Sequence, residues 1–158
     1  MLMKIAMCCA NVAYGLKESV RKHVESLGHE VVDFCADPNA PMPYAEVAAR
    51  ASEGFLAQKC DLGIFLCGTG MGVSLVANLH RGITAAVCES KFAARRARFT
   101  NNANVLCLGS FILGETLANE MVDEFLNTQW LENAPEATRE TLYGQYHFIQ
   151  GLEDRLYK

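Results

Sequence analysis

The stretch Cys67-Gly68-Thr69-Gly70-Met71-Gly72-Val73 places a thiol, a hydroxyl and three glycines in seven consecutive residues, directly after the apolar run LGIFLC. Glycine lets the main chain approach a ligand closely and adopt conformations closed to other residues. If a helix opens near Met71, the backbone N–H groups of Gly70, Met71, Gly72 and Val73 converge on an anion. One use of such a turn is to hold a nucleotide phosphate: Gly68-x-Gly70 follows an apolar run, and Glu89 stands about one unit later, where a ribose-binding carboxylate would be. Two features oppose this reading. Val73 occupies the position of the third fingerprint glycine, with Gly72 one residue early, and no Gly-Lys-Ser/Thr follows. The other use is smaller chemistry. The same amides would stabilise an enediolate and would lower a nearby thiol from its reference pKa of about 8.5, making Cys67 a usable base or nucleophile. Against both stands the plain alternative that Cys67 only closes a strand.

Positioning such a turn requires a scaffold, and the chain supplies a regular alternation. The apolar runs KIAMCC, EVVDFC, LGIFLC, ITAAVC and NVLCLG alternate with helical patterns over 14–27, 44–58, 71–79, 90–99 and 115–126. Five such units predict an α/β domain: a Rossmann-like three-layer α/β/α arrangement around a five-stranded parallel sheet. Ligands of such sheets bind beyond the carboxyl ends of the strands near the topological switch point, which draws attention to the loops after residues 9, 35, 67, 89 and 108. The proline-bearing segment over 37–43 is expected to be a loop. After Trp130 the pattern changes. Leu142, Tyr146, Ile149, Leu152 and Leu156 fall on one face of a helix opening near Pro135, so residues 131–158 read as a C-terminal helical extension of a domain over 1–130, packed on that domain or on a second subunit.

Composition narrows the partners. The 158 residues carry 14 Lys plus Arg against 18 Asp plus Glu, a net charge of −4, so no positive field points to nucleic acid or an anionic membrane. The amino-terminal stretch has neither the length of a membrane span nor the basic lead of a secretion signal, which predicts a cytoplasmic protein. Seven cysteines are an odd number without a C-x-x-C pair, which argues against a disulfide framework or a structural zinc. Most of them end or sit inside apolar runs and read as small hydrophobes.

GIFLCGTGMGVSLVAN, GITAAVC, NNANVLCLGS and ETLANEMVDEFLNTQW together resemble successive stretches of the type B ribose-5-phosphate isomerase and galactose-6-phosphate isomerase family, over about residues 3 to 130. The resemblance implies an aldose–ketose isomerase working through a cis-enediol, with no metal and no cofactor, in dimers or tetramers whose sites are shared between subunits. It implies that the thiol matching Cys67 moves the proton and that the Thr69 hydroxyl and the backbone of residues 68 to 73 hold the oxyanion. It also implies that Asn101 binds substrate oxygens, with Asn11 and Thr100 at neighbouring positions of the same site.

The departures from the family pattern are as informative. Ala10, Asn11, Val12 and Ala13 stand where the family reads Asp-His-Ala-Gly, Thr100 stands where a ring-opening His is usual, and Phe111 replaces a phosphate-binding Arg. Losing that arginine removes both charge and forked donors. Arg139 and Lys91 are candidate replacements, and the cluster Arg95, Arg96 and Arg98 is better read as a solvated helix face. His80 and His147 are the available imidazoles. The expected substrate is therefore a small sugar or sugar derivative, with a sugar phosphate kept open despite the depleted clamp; one already linear, unphosphorylated, or carrying a carboxylate needs less of what is absent. The rival readings are a half-catalytic subunit needing a homologous companion chain, and a nucleotide-binding module.

Overall fold

Residues along the central strands alternate between two faces of one sheet, as extended chain requires. Ile5, Met7, Cys9, Leu62, Ile64, Leu66, Leu106 and Leu108 fill one side, and Ala6, Cys8, Phe65, Cys67, Val105 and Cys107 the other. The computed structural model describes residues 1–35, 37, 39–40 and 42–156. Its strands are β1 (Lys4–Cys9), β2 (Glu30–Asp33), β3 (Leu62–Cys67), β4 (Ala85–Val87) and β5 (Val105–Gly109). All pair in parallel, in the order β2-β1-β3-β5-β4. The helices are α1 (Tyr14–Ser26), α2 (Tyr44–Ala57), α3 (Met71–Ala77), α4 (Lys91–Asn101), α5 (Glu115–Asn127) and α6 (Glu136–Leu156). Helices α1, α4 and α5 cover the first face and α2 and α3 the second, completing the expected three layers.

The differences from the sequence expectation lie at element ends and have local causes. Strand β2 stops at Asp33 because its carboxylate accepts the Cys35 backbone N–H at 3.0 Å and turns the chain. The run ITAAVC yields only the three residues of β4, since Asn104 and Asn78 side chains take the amides of Thr84 and Ala85, at 2.8 Å and 2.9 Å. Helix α4 runs on to Asn101 and is ended by Asn102 in the left-handed region, φ 51°. Of the proline segment, Pro38 and Pro41 lie outside the described residues, while Pro43 caps the start of α2.

Helix α6 opens just beyond Pro135 and contains no buried residue. It is held at its first turns by Trp130, whose ring stacks on Tyr143 at 5.8 Å and meets Tyr146 at 4.7 Å. Phe148, Ile149 and Leu156 remain exposed. No helix among the described residues is long and apolar enough to cross a membrane.

Candidate functional site

Strands β1 and β3 are neighbours from which the chain departs in opposite directions, to β2 on one side and toward β5 and β4 on the other. That is the switch point of the sheet, and the carboxyl ends meeting there are those of Cys9 and Cys67. Every residue of β3 is buried. The turn that follows depends on Gly70, whose φ of +78° is left-handed, and where a Cβ would stand 3.1 Å from the Cys107 carbonyl oxygen. The neighbouring strand is equally close. Gly109 lies opposite Cys67 in the β3–β5 register, and a Cβ there would meet the Thr69 main chain at 2.8 Å. Beyond it, the Ser110 and Phe111 amides donate to the carbonyls of Cys67 and Gly68, both at 2.9 Å. Sequence reading missed Gly109; its only signal was a glycine ending an apolar run.

Within the turn, the Cys67 sulfur is buried and accepts the Gly70 backbone N–H at 3.1 Å. The Thr69 hydroxyl oxygen accepts the Met71 N–H at 3.3 Å, so the hydroxyl proton points elsewhere. Two of the four amides expected to face an anion are therefore engaged by the side chains of the turn itself. The first helical bond runs from the Ser74 amide to the Gly70 carbonyl at 3.2 Å, so the amides of Gly72 and Val73 precede it and belong to the open start of the helix.

These groups border a cavity of about 620 Å³ that also takes in Ala10, Asn11 and Val12 after β1, Pro43 and Tyr44 at the head of α2, and Phe111 after β5. Asn11 and Val12 sit in a single 3-10 turn tied across the site by the Ser110 hydroxyl, which donates to the Val12 carbonyl at 3.1 Å. The Phe111 ring lies against Gly68, where a Cβ would be 2.5 Å away, and the Tyr44 ring against Gly72, at 2.6 Å. Two rings thus occupy the close approach to the glycines that a pyrophosphate would use. The described residues lining this cavity include a thiol, a threonine hydroxyl, a phenol and an amide but no ionised side chain. Among the described residues, no group of three or more His, Cys, Asp or Glu is placed to hold a metal ion.

Thr100 and Asn101 do not join this cavity within one chain. Helix α4 returns from the carboxyl edge of the sheet, so its last turn lies at the amino edge, where Thr100 and Asn101 border a separate cavity with Tyr146 and Ile149 of α6. The Thr100 hydroxyl is buried there without a hydrogen-bond partner among the described residues. The other candidate side chains are also elsewhere. Lys91 pairs with Glu120 at 3.4 Å, Arg98 donates to the Ala103 carbonyl at 2.8 Å, and Arg139 reaches the Leu131 carbonyl at 3.4 Å. His80 bonds the Val76 carbonyl and His147 packs on Tyr143.

The chain matches the family described as Ribose/Galactose Isomerase over residues 5–141. It is 36% identical, over 157 residues and 99% of both chains, to the 4-deoxy-4-sulfo-D-erythrose isomerase of Clostridium sp. (strain MSTE9). It is 34% identical over 146 residues, 92% of this chain and 95% of the relative, to the D-erythrulose-4-phosphate isomerase of Pectobacterium atrosepticum. Among solved structures, the ribose-5-phosphate isomerase B of Clostridium thermocellum superposes with a TM-score of 0.87 at 32% identity, covering 98% of this chain and 99% of that one.

Proposed function

The chain belongs to the ribose/galactose isomerase family, and from that premise we propose that it interconverts an aldose and a ketose of about four carbons, open-chain and ending in an anion. The observation that carries this reading is the Cys67 sulfur, buried at the switch-point cavity and bonded to the Gly70 amide. Cys67 as thiolate removes the proton from C2 of the aldose while the C1 carbonyl oxygen gains the electron pair. The resulting cis-enediolate is met by the Thr69 hydroxyl and the amides of Gly72 and Val73, donors fixed in place before charge develops. The proton returns at C1, and the hydroxyl proton of O2 passes to O1, leaving the ketone. Asn11 holds the substrate oxygens from the opposite wall.

Chain length explains what the site lacks. A four-carbon sugar whose C4 bears a sulfonate or phosphate has no free C4 hydroxyl with which to close a five-membered ring. It stays open, and no imidazole is needed to open it; Thr100 in place of His is then no loss. The terminal anion still needs a cation, and the described lining of the cavity has none. A second copy of the chain supplies it in this reading, as it supplies Thr100 and Asn101, with exposed Arg139 as the candidate cation; Lys91 opens α4, about 15 Å along the helix from Asn101. Helix α6 packs against that copy through its exposed Phe148, Ile149 and Leu156. The enzyme is a cytoplasmic homodimer or homotetramer that needs no cofactor.

The test is proton NMR in deuterated water with the 4-sulfonate and 4-phosphate of erythrose beside ribose 5-phosphate, using wild type and Cys67→Ala. Deuterium enters the four-carbon substrates at least about tenfold faster than the pentose, and only with Cys67 present. Absence of exchange with every substrate would replace this reading by its rival, a half-site chain needing a homologous companion, which the uncharged cavity also favours.

A further inference from the structure

Two thiols that the isomerisation leaves unused face each other at the border of the site. Cys9 ends β1 and Cys35 lies two residues beyond β2, and the parallel register that sets Met7 beside Asp33 carries them to the same level. Their sulfurs are 3.3 Å apart, and the Cys9 backbone N–H donates to the Cys35 sulfur at 2.9 Å. A disulfide bond is about 2.05 Å long, so bond formation asks for a closing movement of little more than 1 Å.

The surroundings distinguish the two sulfurs. Contact with Cys9 holds the Cys35 thiol below its ordinary value against the opposing effects of burial and of Asp33, with further help from the Cys9 amide and the nearby Lys17 ammonium. Contact with Cys35, together with burial, pushes the Cys9 thiol up. Cys35 is half-buried while Cys9 is buried. The fully enclosed thiols of Cys8 and Cys107 are pushed up by burial, and Cys88 is pushed up to about 11. An accessible sulfur with thiolate character next to a protonated one is the pairing that oxidation selects.

We propose that Cys9 and Cys35 are a hydroperoxide-responsive dithiol that closes to a disulfide and alters the neighbouring site. The Cys35 thiolate attacks one peroxide oxygen; the O–O bond breaks, and the departing hydroxide takes a proton to become water, leaving Cys35 as a sulfenic acid. The Cys9 sulfur then attacks the Cys35 sulfur, the S–O bond breaks, and the departing hydroxide leaves as water with the Cys9 proton. Two electrons pass from the two thiols to the peroxide. Cys9 is followed directly by Ala10 and Asn11, both of which line the Cys67 cavity, so movement of the β1 end is transmitted to that wall.

The experiment treats the full-length protein with hydrogen peroxide, blocks remaining thiols by alkylation and maps the peptides, in wild type, Cys35→Ser and Cys67→Ser. A Cys9–Cys35 cross-linked peptide is expected in wild type and Cys67→Ser, absent from Cys35→Ser and lost on addition of dithiothreitol. In oxidised wild type the rate of Cys67 alkylation shifts at least threefold and recovers on reduction. If Cys9 and Cys35 both remain alkylatable while peroxide modifies other residues, the dithiol is overturned. A cross-link without any change at Cys67 overturns its effect on the site. Neither readout uses a sugar, so the result stands apart from the identity of the substrate.

Discussion

The backbone N–H of Gly70 donates to the sulfur of Cys67 at 3.1 Å, and Gly70 makes that bond because a φ of +78° turns the main chain back over the end of β3. The sulfur and the backbone amides that follow it are therefore set by one turn. The amides of Gly72 and Val73 follow at the open start of α3.

Cys67→Ala is expected to lower turnover by roughly 10²–10⁴-fold, the usual contribution of a positioned base. Its effect on stability should be about 1 kcal/mol, because only a sulfur is removed from the edge of the core. Deuterium exchange and thermal melting measured on the same preparation check both halves. Retained exchange would remove Cys67 from the mechanism.

Gly109→Ala tests the wall behind the turn. The added methyl would meet the Thr69 main chain at 2.8 Å, and backbone held on both sides has little room to yield. Turnover should fall at least about tenfold with a stability loss of roughly 1–3 kcal/mol, as overpacking commonly costs. An unchanged melting temperature and rate would show that the turn is freer than its contacts imply.

Gly72 and Tyr44 should be energetically coupled. Gly72→Ala drives a methyl into the Tyr44 ring, at 2.6 Å, whereas in a Tyr44→Ala background that ring is gone. A double-mutant cycle by chemical denaturation should return a coupling of about 1 kcal/mol, the double variant being more stable than the sum of the singles. Additivity would mean that the ring swings away without cost.

Lys17 is completely enclosed and its ammonium pairs with Asp33 and, at 2.8 Å, with Glu18. Asp33→Asn should destabilise the fold by roughly 3 kcal/mol, the low end for a broken buried pair, since Glu18 still reaches the charge. The Glu18 carboxyl is held down to about 2 from its ordinary 4.5 by hydrogen bonds from Arg21 and Lys17, against burial. A depressed carboxyl adds stability that is fully present above pH about 4.5 and lost as pH falls toward 2. Urea titrations across that window should show a shallower acid loss for Glu18→Gln than for wild type.

A shared site predicts complementation. Cys67→Ala and Asn101→Ala should each be inactive alone, while unfolding and refolding them together should restore about a quarter of wild-type activity, since half the dimers are mixed and each carries one intact site. No recovery on mixing would confine the site to one chain.

Much of the fold was legible because its signals are local. Strands β1 and β3 have the limits of the runs KIAMCC and LGIFLC, and α1, α2, α3 and α5 begin where helical periodicity begins. Cys67, Thr69 and Gly70 were legible for the same reason: thiol, hydroxyl and turn are adjacent in the chain, and their relation follows from backbone geometry alone.

The rest depends on residues distant in sequence. Gly109 is required as glycine only because β5 pairs with β3, Phe111 and Tyr44 close the cavity from separate loops, and Cys9 meets Cys35 only through sheet register. The chain alone equally could not separate Thr100 and Asn101 from Cys67; that follows from α4 running back to the opposite edge of the sheet. A parallel sheet joins strand ends across tens of residues. Pattern along the chain determines which segments become strands and helices, whereas strand order, register and packing determine which of their ends share a site.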